Sequence, residues 1–347
     1  MITNKFFVLV FKKNFFTILF TLFLIFLLVF SQTNIFAVEN GLTLWTKHII
    51  PSLFPFFIAT ELLNYTKLPY YLGKLSKKFM RPLFNIPSES SYAFIMGIIS
   101  GYPIGAKIIN NFLDNKICTK SEAERMLSFT NNSGPLFVIG TIGICLYNDI
   151  KIGLLLFITH ILASITVGII FGLISKKKEK TTYNNSTDIN SMKYTNYNLS
   201  DLGTILSTSI TNAISTIFIV GGFIVLFSII ISILSNLKFI ESVSTFLSYF
   251  NIPYNYSCGI LTGLIELTNG VNLISSLHVK NMSSQIIITS FLLGFAGLSI
   301  FLQIFSIASK HNLSIKYYLI GKLLQGAFAS LYTYIILYLG DFFYFNI

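Results

Sequence analysis

The sequence is poor in charged residues. Asp, Glu, Lys and Arg make up only 11% of its 347 residues, whereas soluble globular domains carry about 25%. Tryptophan occurs once and cysteine three times, and no two cysteines have the spacing of a CxxC or other metal-ligand motif. These absences argue against a typical soluble enzyme domain and give no support to a structural metal centre or a disulfide framework.

Apolar residues dominate the chain instead. Hydrophobic residues make up 53% of the sequence, and the mean hydropathy is +0.72. Several apolar stretches reach the roughly 20 residues that a helix needs to cross a bilayer. The composition therefore predicts an all-α polytopic membrane protein with the lipid bilayer as a partner. The net charge of +11 then requires no nucleic acid, because lysines concentrate in the cytoplasmic loops of such proteins.

Apolar and polar stretches divide the chain into four parts. Residues 1–36 are predicted to form an N-terminal transmembrane helix. Its apolar core, Phe6–Phe30, is longer than the roughly 7–15 residues of a signal peptide, although cleavage stays an alternative. Residues 37–175 form a first repeat, residues 176–200 a polar cytoplasmic linker and residues 201–347 a second repeat.

Each repeat contains two apolar segments that are interrupted near their middle. They are a hairpin at about 91–114 and a broken span at about 121–147 in the first repeat, and a hairpin at about 256–280 and a broken span at about 285–309 in the second. The halves share short sequences in the same order: MGIISG at Met96 matches CGILTG at Cys258 with an offset of 162 residues, and FNIP occurs in both. Interrupted segments at corresponding positions of two halves point to a transporter's binding site.

The distribution of basic residues predicts how the segments cross the membrane. If each hairpin enters and leaves on one side, the chain has seven spans, and 18 of the 24 basic residues face the cytoplasm while four face outside. If the hairpins crossed the membrane, the Lys176–Lys180 cluster would face outside together with Lys116, against the positive-inside rule. We therefore predict an inverted repeat of three spans plus a re-entrant hairpin, preceded by one extra N-terminal helix.

The interruptions predict a polar site inside the membrane. Backbone outside a helix cannot face lipid, so the breaks must line a cavity walled by protein, where half-helix N-termini offer free N–H groups to a carboxylate. Ser133 is expected to cap the half-helix that Pro135 begins. The predicted substrate-binding residues lie at the two hairpin tips and the first broken span: Gly101, Tyr102, Pro103, Gly105, Lys107, Asn131, Asn132, Ser133, Gly134, Glu266, Thr268 and Asn269.

Two ionisable residues carry most of this prediction. Lys107 follows the first tip by one turn, and an intramembrane lysine is a functional candidate, although its side chain could instead snorkel to the cytoplasmic edge. Glu266 lies in the second tip. It could bind a coupled cation or a proton, pair with Lys107, or be an exposed loop carboxylate.

The other ionisable residues of the apolar segments have structural interpretations. Glu122, Glu124 and Arg125 are expected to form a solvated face at the cytoplasmic end of the broken span. His160 is expected to be packed and hydrogen-bonded, and Glu61, near a helix end, is ambiguous. No GxSxG, HExxH or P-loop motif occurs. We therefore predict no enzyme, no metal and no cofactor, with H⁺ or Na⁺ left open as a coupling ion.

Several sequence blocks are similar to a known family. SGYPIGAKIINNFL at Ser100, EAERMLSFTNNSGPLFVIGTIG at Glu122, NAISTIFIVGGFIVLF at Asn212 and GLIELTNG at Gly263 resemble the YlbJ/SpoVV family of sporulation integral membrane proteins. That family belongs to the nucleoside-recognition, or Gate, group. The group is similar in arrangement to concentrative nucleoside transporters, which have inverted repeats and re-entrant hairpins.

The resemblance implies a role in endospore formation: transport of dipicolinic acid out of the mother cell across the outer forespore membrane. Lys107 and helix N-termini would suit the carboxylates of this small planar dianion, and Tyr102 and Phe129 would stack on its ring. One alternative is a nucleoside transporter coupled to Na⁺ or H⁺ through Glu266. Another is a spore-envelope membrane scaffold that transports nothing. The expected partner is a small anionic molecule, and a homo-oligomer is compatible with the sequence.

Overall fold

The computed structural model describes residues 2–178, 199–279 and 281–340. Within these ranges every regular element is a helix, which confirms the all-α prediction. The α-helices are α1 (Ile2–Val29), α2 (Ser31–Leu44), α3 (Ile50–Leu63), α4 (Leu68–Phe79), α5 (Ser90–Ser100), α6 (Ile104–Asp114), α7 (Lys120–Thr130), α8 (Ile150–Lys178), α9 (Leu202–Asn236), α10 (Phe239–Ser248), α11 (Tyr254–Ile265), α12 (Leu267–Ser275), α13 (Ser283–Phe295), α14 (Gly297–Ala308) and α15 (Lys316–Gly340). Three π-helical segments, Trp45–Ile49, Met80–Phe84 and Leu136–Leu146, and two 3₁₀ turns, Leu199–Asp201 and Ser309–His311, complete the fold of the described residues.

Five helical stretches of the described chain are long and apolar enough to cross a bilayer. They are Ser31–Leu63, Ile150–Ser175, Leu202–Asn236, Ser283–His311 and Lys316–Tyr338. The other two predicted spans contain only shorter apolar helices, Asn14–Val29 in α1 and Leu136–Leu146 after α7. For these two segments, membrane crossing stays a prediction.

The first hairpin consists of α5 and α6. Helix α5 ends at Ser100 because Gly101 has a φ of +78°, a conformation that glycine adopts without steric cost. Pro103 immediately precedes α6, whose first residue is Ile104. The two helices pack against each other and against α7. Glycine and proline of the GYPIG sequence thus form the turn between two short helices.

The first broken span begins with α7 and continues in the π-helical segment Leu136–Leu146. A capping box starts α7: the Thr119 hydroxyl accepts the N–H of Glu122, and the Glu122 carboxylate accepts the N–H of Thr119. Residues 131–134 are not helical. No side chain caps the second half, so the expected Ser133 cap is wrong. Pro135 stands at the capping position itself, with a φ of −62° that already suits a helix.

The second half has shorter interruptions than the first. Helices α11 and α12 are separated by the single residue Glu266, whose backbone is extended (φ −140°, ψ 117°). Helices α13 and α14 are separated by Ala296 at φ +74°, followed by Gly297 at φ +81°. Left-handed backbone is uncommon for alanine and carries strain. The helix breaks of the second half therefore differ in local geometry from those of the first.

Hydrogen bonds group the helix ends into two sets. The first set contains ends that the charge argument assigns to the cytoplasm: Asn85 with Ser175 (2.9 Å), Arg125 with the Asn85 carbonyl (3.0 Å), Lys310 with Asp114 (2.7 Å) and the Ser314 N–H with Glu124 (2.7 Å). The second set contains ends assigned to the outside: Tyr147 with Thr289 (2.7 Å), Asn236 with Thr33 (2.9 Å) and Gln285 with the Leu277 carbonyl (2.6 Å). The inverted repeat and its re-entrant hairpins in the bilayer stay a prediction.

Two segment boundaries differ from those that the sequence suggested. The break after the N-terminal helix lies at Phe30 rather than after residue 36, because α2 already begins at Ser31. The polar residues there are compatible with a helix, since Thr33 and Asn34 hydrogen-bond to carbonyls of the preceding turns. Helix α8 extends to Lys178, into the predicted linker 176–200. Most of that linker lies outside the described residues.

Candidate functional site

Two neighbouring cavities lie beside the helix breaks. The smaller one, about 50 Å³ and termed the inner cavity, is lined by residues of three breaks, among them Tyr102, Ser133 and Glu266. The larger one, about 430 Å³ and termed the vestibule, is lined by α3, α6, α9 and α14 and reaches Pro103 at the first tip. The adjacent residues Tyr102 and Pro103 thus face different cavities, and the first hairpin tip separates the two.

The predicted site residues divide into three groups. The inner cavity is lined by Tyr102, Ser133, Gly134, Glu266 and Thr268. The vestibule is lined by Pro103 and Lys107. The remaining five, Gly101, Gly105, Asn131, Asn132 and Asn269, line neither cavity and instead pack or cap the breaks.

Lys107 forms an ion pair with Glu61. Its Nζ lies 2.6 Å from Glu61 Oε1 and donates a hydrogen bond to Thr216 Oγ1 at 2.8 Å. Asn212 donates to the second carboxylate oxygen of Glu61 at 3.2 Å. Pairing with Lys107, one of the alternatives for Glu266, is therefore not found, because Glu61 of α3 is the ion-pair partner of this lysine. The side chain of Lys107 remains 28% exposed, so it faces the vestibule and can meet a ligand there.

The half-helix N-termini at both tips are occupied by side chains of the protein itself. In α6, the N–H of Ala106 donates to Asn131 Oδ1 at 2.8 Å. In α12, the N–H groups of Thr268 and Asn269 donate to the Glu266 carboxylate at 3.1 and 2.8 Å. The N–H groups of Ala106, Thr268 and Asn269 are therefore not free for a ligand. Glu266 is 2% exposed, which contradicts the exposed-loop alternative.

Lys322 is the main site residue that the sequence interpretation missed. It lies on α15, is 1% exposed, and donates hydrogen bonds to the Asn131 carbonyl, to Tyr102 Oη (3.2 Å) and to Gln325 Oε1 (2.7 Å). Its Nζ also lies 5.2 Å from the centre of the Tyr102 ring. The rule that singled out Lys107, a lysine within a membrane segment, applies equally to Lys322 and would have found it.

A second chain of hydrogen bonds extends from Gln325. Its amide donates to Asn132 Oδ1 at 2.9 Å, and the Asn132 amide donates to the Phe129 carbonyl. His160 Nε2 accepts the N–H of Ser133 at 3.2 Å, so His160 is packed and hydrogen-bonded as expected. The Asn132 side chain and the Ser133 N–H are thus held by α15 and α8 rather than left for a ligand.

Two further expectations are corrected by burial and by ring contacts. Glu122 and Arg125 are 7% and 3% exposed, so they do not form a solvated face. Arg125 instead donates to the Asn85 carbonyl at 3.0 Å. Phe129 stacks on Phe84 with ring centres 5.2 Å apart and lines neither cavity, so it is not placed to stack on a ligand.

Lys310 and Asp114 form an ion pair near the vestibule. Lys310 lines the vestibule, and its Nζ lies 2.7 Å from Asp114 Oδ2. This hydrogen bond lowers the pKa of Asp114 below its ordinary value, so the carboxylate stays ionised at neutral pH. Both side chains are well exposed, and such pairs add little to stability. The described residues contain no cluster of three or more His, Cys, Asp or Glu side chains that could hold a metal ion.

Comparison with known proteins identifies the family. Residues 46–177 match the family model Gate, described as nucleoside recognition. The chain is 33% identical over 315 residues to the sporulation integral membrane protein YlbJ of Bacillus subtilis (strain 168), an alignment that covers 87% of this chain and 77% of that protein. The chain belongs to the YlbJ family. It is an integral membrane protein of this sporulation family. No solved structure matches it.

The family-model match covers only part of the site. The Gate region, residues 46–177, includes Glu61 of α3, Lys107 of α6 and the first broken span. Glu266 and Lys322 lie beyond it. The site thus joins a segment with the Gate pattern to a second half outside the matched region.

Proposed function

We propose that the chain transports a small carboxylate, and that its substrate is dipicolinic acid leaving the mother cell across the outer forespore membrane. The vestibule is the observation that carries this proposal. Its volume of about 430 Å³ falls within the range of about 300–1,000 Å³ typical of small-molecule sites. Lys107 and Lys310 supply positive charge, and Asn110, Asn111 and Asn212 supply amides.

The inner cavity supports passage beyond the vestibule. At about 50 Å³ it is too small for an aromatic dicarboxylate, so the described conformation admits such a ligand to the vestibule only. The first hairpin tip lies between the two cavities, through Tyr102 on one side and Pro103 on the other. Movement of that tip would join them and would carry the ligand past Glu266 toward the opposite face.

A nucleoside remains the second candidate substrate. The matching family model is described as nucleoside recognition, and the three asparagines of the vestibule could hydrogen-bond a base or a ribose as well as a carboxylate. The two substrates differ in charge, since a nucleoside is neutral and dipicolinate is a dianion at neutral pH. A substitution that removes a positive charge from the vestibule therefore distinguishes the two candidate substrates.

Lys107→Gln is expected to weaken dipicolinate binding by about tenfold or more, because a hydrogen bond to a charged group contributes about 1.5–3 kcal/mol. Uridine binding should change less than about threefold, since no charge–charge attraction is lost. The measurement is binding of each ligand to the purified full chain in nanodiscs. Lys107→Gln/Glu61→Gln should weaken dipicolinate binding less than the single substitution, because the net charge of the vestibule is unchanged and no unpaired Glu61 carboxylate repels the ligand.

Lys120→Gln is the matched control, because Lys120 is an exposed lysine at the start of α7 and lines neither cavity. It should bind both ligands as the wild type does. Deletion of the gene in a sporulating host should yield spores depleted of dipicolinate. Normal dipicolinate content in those spores, or tight uridine binding without dipicolinate binding, would overturn the proposed substrate.

A further inference from the structure

Lys322 is a buried lysine whose hydrogen-bond partners are all neutral. Its ammonium can donate three hydrogen bonds, and the Asn131 carbonyl, Tyr102 Oη and Gln325 Oε1 accept all three. No carboxylate of the described residues lies within ion-pair distance of it. Burying a charge is unfavourable unless it is compensated. An ionisable residue placed this way inside a membrane protein indicates a function rather than simple packing.

The position of the ammonium is specific. The Asn131 carbonyl stands at the C-terminal end of α7, where the helix breaks off. Helix C-termini carry partial negative charge, and their last carbonyls lack partners within the helix. The Tyr102 hydroxyl belongs to the first hairpin tip. Lys322 thus joins the break of the span to the tip of the hairpin, although it comes from α15 in the other half of the chain.

In secondary transporters, a cation from solution binds at such a break in a membrane helix. Unwound backbone carbonyls and the C-terminal ends of half-helices coordinate Na⁺ or H⁺ in discontinuous membrane helices. We propose that the Lys322 ammonium is a built-in replacement for that cation, holding the first broken span and the first hairpin tip together so that this half of the site works without bound Na⁺. The ammonium is covalently attached to α15. It therefore competes with any soluble cation for the Asn131 carbonyl, Tyr102 Oη and Gln325 Oε1.

The charge also acts on the proposed ligand. Lys107 is paired with Glu61 at 2.6 Å, whereas the Lys322 ammonium has no carboxylate partner among the described residues and lies behind Tyr102, which lines the inner cavity. An anion that passes the first tip would meet this charge. This part of the inference rests on the proposed function, whereas the cation replacement does not.

The test uses thermal unfolding of the purified full chain in nanodiscs. Wild-type protein should unfold at the same temperature when Na⁺ is replaced by K⁺ or choline at constant ionic strength. Lys322→Ala should unfold at a lower temperature, and n-propylammonium, which matches the deleted part of the side chain, should restore much of the loss. Tetramethylammonium, which cannot donate hydrogen bonds, should restore nothing. Lys316→Ala, an exposed lysine at the start of α15, should behave as wild type.

A second variant keeps the proposal testable if the alanine variant does not fold. Lys322→Met fills most of the same space without charge, and it should bind dipicolinate at least tenfold more weakly than wild type. A wild-type unfolding temperature that depends specifically on Na⁺, or a Lys322→Met protein as stable and as tightly binding as wild type, would overturn the inference. Absence of dipicolinate binding to wild type, with amine rescue of Lys322→Ala intact, would instead overturn the proposed function alone.

Discussion

Gly97→Ala is expected to disrupt the contact between α5 and α7 and to leave little folded protein. A Cβ at position 97 would lie 1.9 Å from the Thr130 carbonyl oxygen, an approach that atoms do not tolerate. The obstacle is backbone at the end of α7, so no side-chain rotation relieves it. Overpacking of this kind costs about 1–3 kcal/mol, and more where the backbone cannot move. The unfolding temperature in detergent and the yield of monodisperse protein measure the effect.

Two other glycines provide matched controls for this prediction. A Cβ at Gly222 in α9 meets nothing within 4 Å, so Gly222→Ala should leave the unfolding temperature unchanged or slightly raised. Gly259 aligns with Gly97 in the repeat, but its Cβ would meet the end of the flexible Ile274 side chain at 2.4 Å. Gly259→Ala should therefore be milder. A Gly97→Ala protein as stable as Gly222→Ala would show that the hairpin does not pack on α7 as described.

Glu266→Ala is expected to remove both stability and transport. The carboxylate accepts the N–H groups of Thr268 and Asn269 in a site that is 2% exposed. Alanine leaves two buried donors without a partner, at a cost of about 1–3 kcal/mol each. Glu266→Gln retains one carbonyl oxygen as an acceptor and removes the charge, so it should fold with a much smaller loss.

Glu266→Gln also separates the capping role from ion coupling. If Glu266 takes up a coupled proton, the glutamine variant should bind dipicolinate but should not respond to a pH gradient in proteoliposomes. Wild type should respond in the same assay. A glutamine variant that keeps the full response to the gradient would contradict a coupling role and leave Glu266 as the cap of α12.

The sequence indicated where the helices break, because the signals are local. Glycine and proline interrupt an apolar run at Gly101–Pro103, and Asn131–Pro135 interrupts the next one. Glycine and proline disfavour a helix regardless of how the rest of the chain packs. The Glu266 break was visible through its polar neighbours and through the match between the two halves. The apolar core ends at Phe30, but the N-terminal helix was extended to residue 36; local and tertiary hydrogen bonds instead hold the residues from Ser31 in α2.

The partners of the site residues could not be derived from local sequence. Glu61 is separated from Lys107 by 46 positions and Lys322 from Tyr102 by 220, so only the packed fold brings each pair together. The same limit explains the expectation of free N–H groups. A break in a helix predicts unpaired backbone N–H groups. In the fold, side-chain oxygens of Asn131 and Glu266 accept these groups, which the local sequence does not indicate. The resulting site is largely saturated by the chain itself, with Lys107 left facing the vestibule.

A site shared between the two halves requires them to lie inverted in the bilayer around the helix breaks. Single cysteines placed at Lys74, Ser200, Lys151 and Asn281 in a variant without Cys118, Cys145 and Cys258 test this with a membrane-impermeant thiol reagent, since all four positions are exposed. Labelling should reach positions 74 and 200 from the cytoplasmic face, and positions 151 and 281 from the opposite face. Labelling of positions 74 and 200 from opposite faces would contradict the inverted repeat and the shared site between its halves.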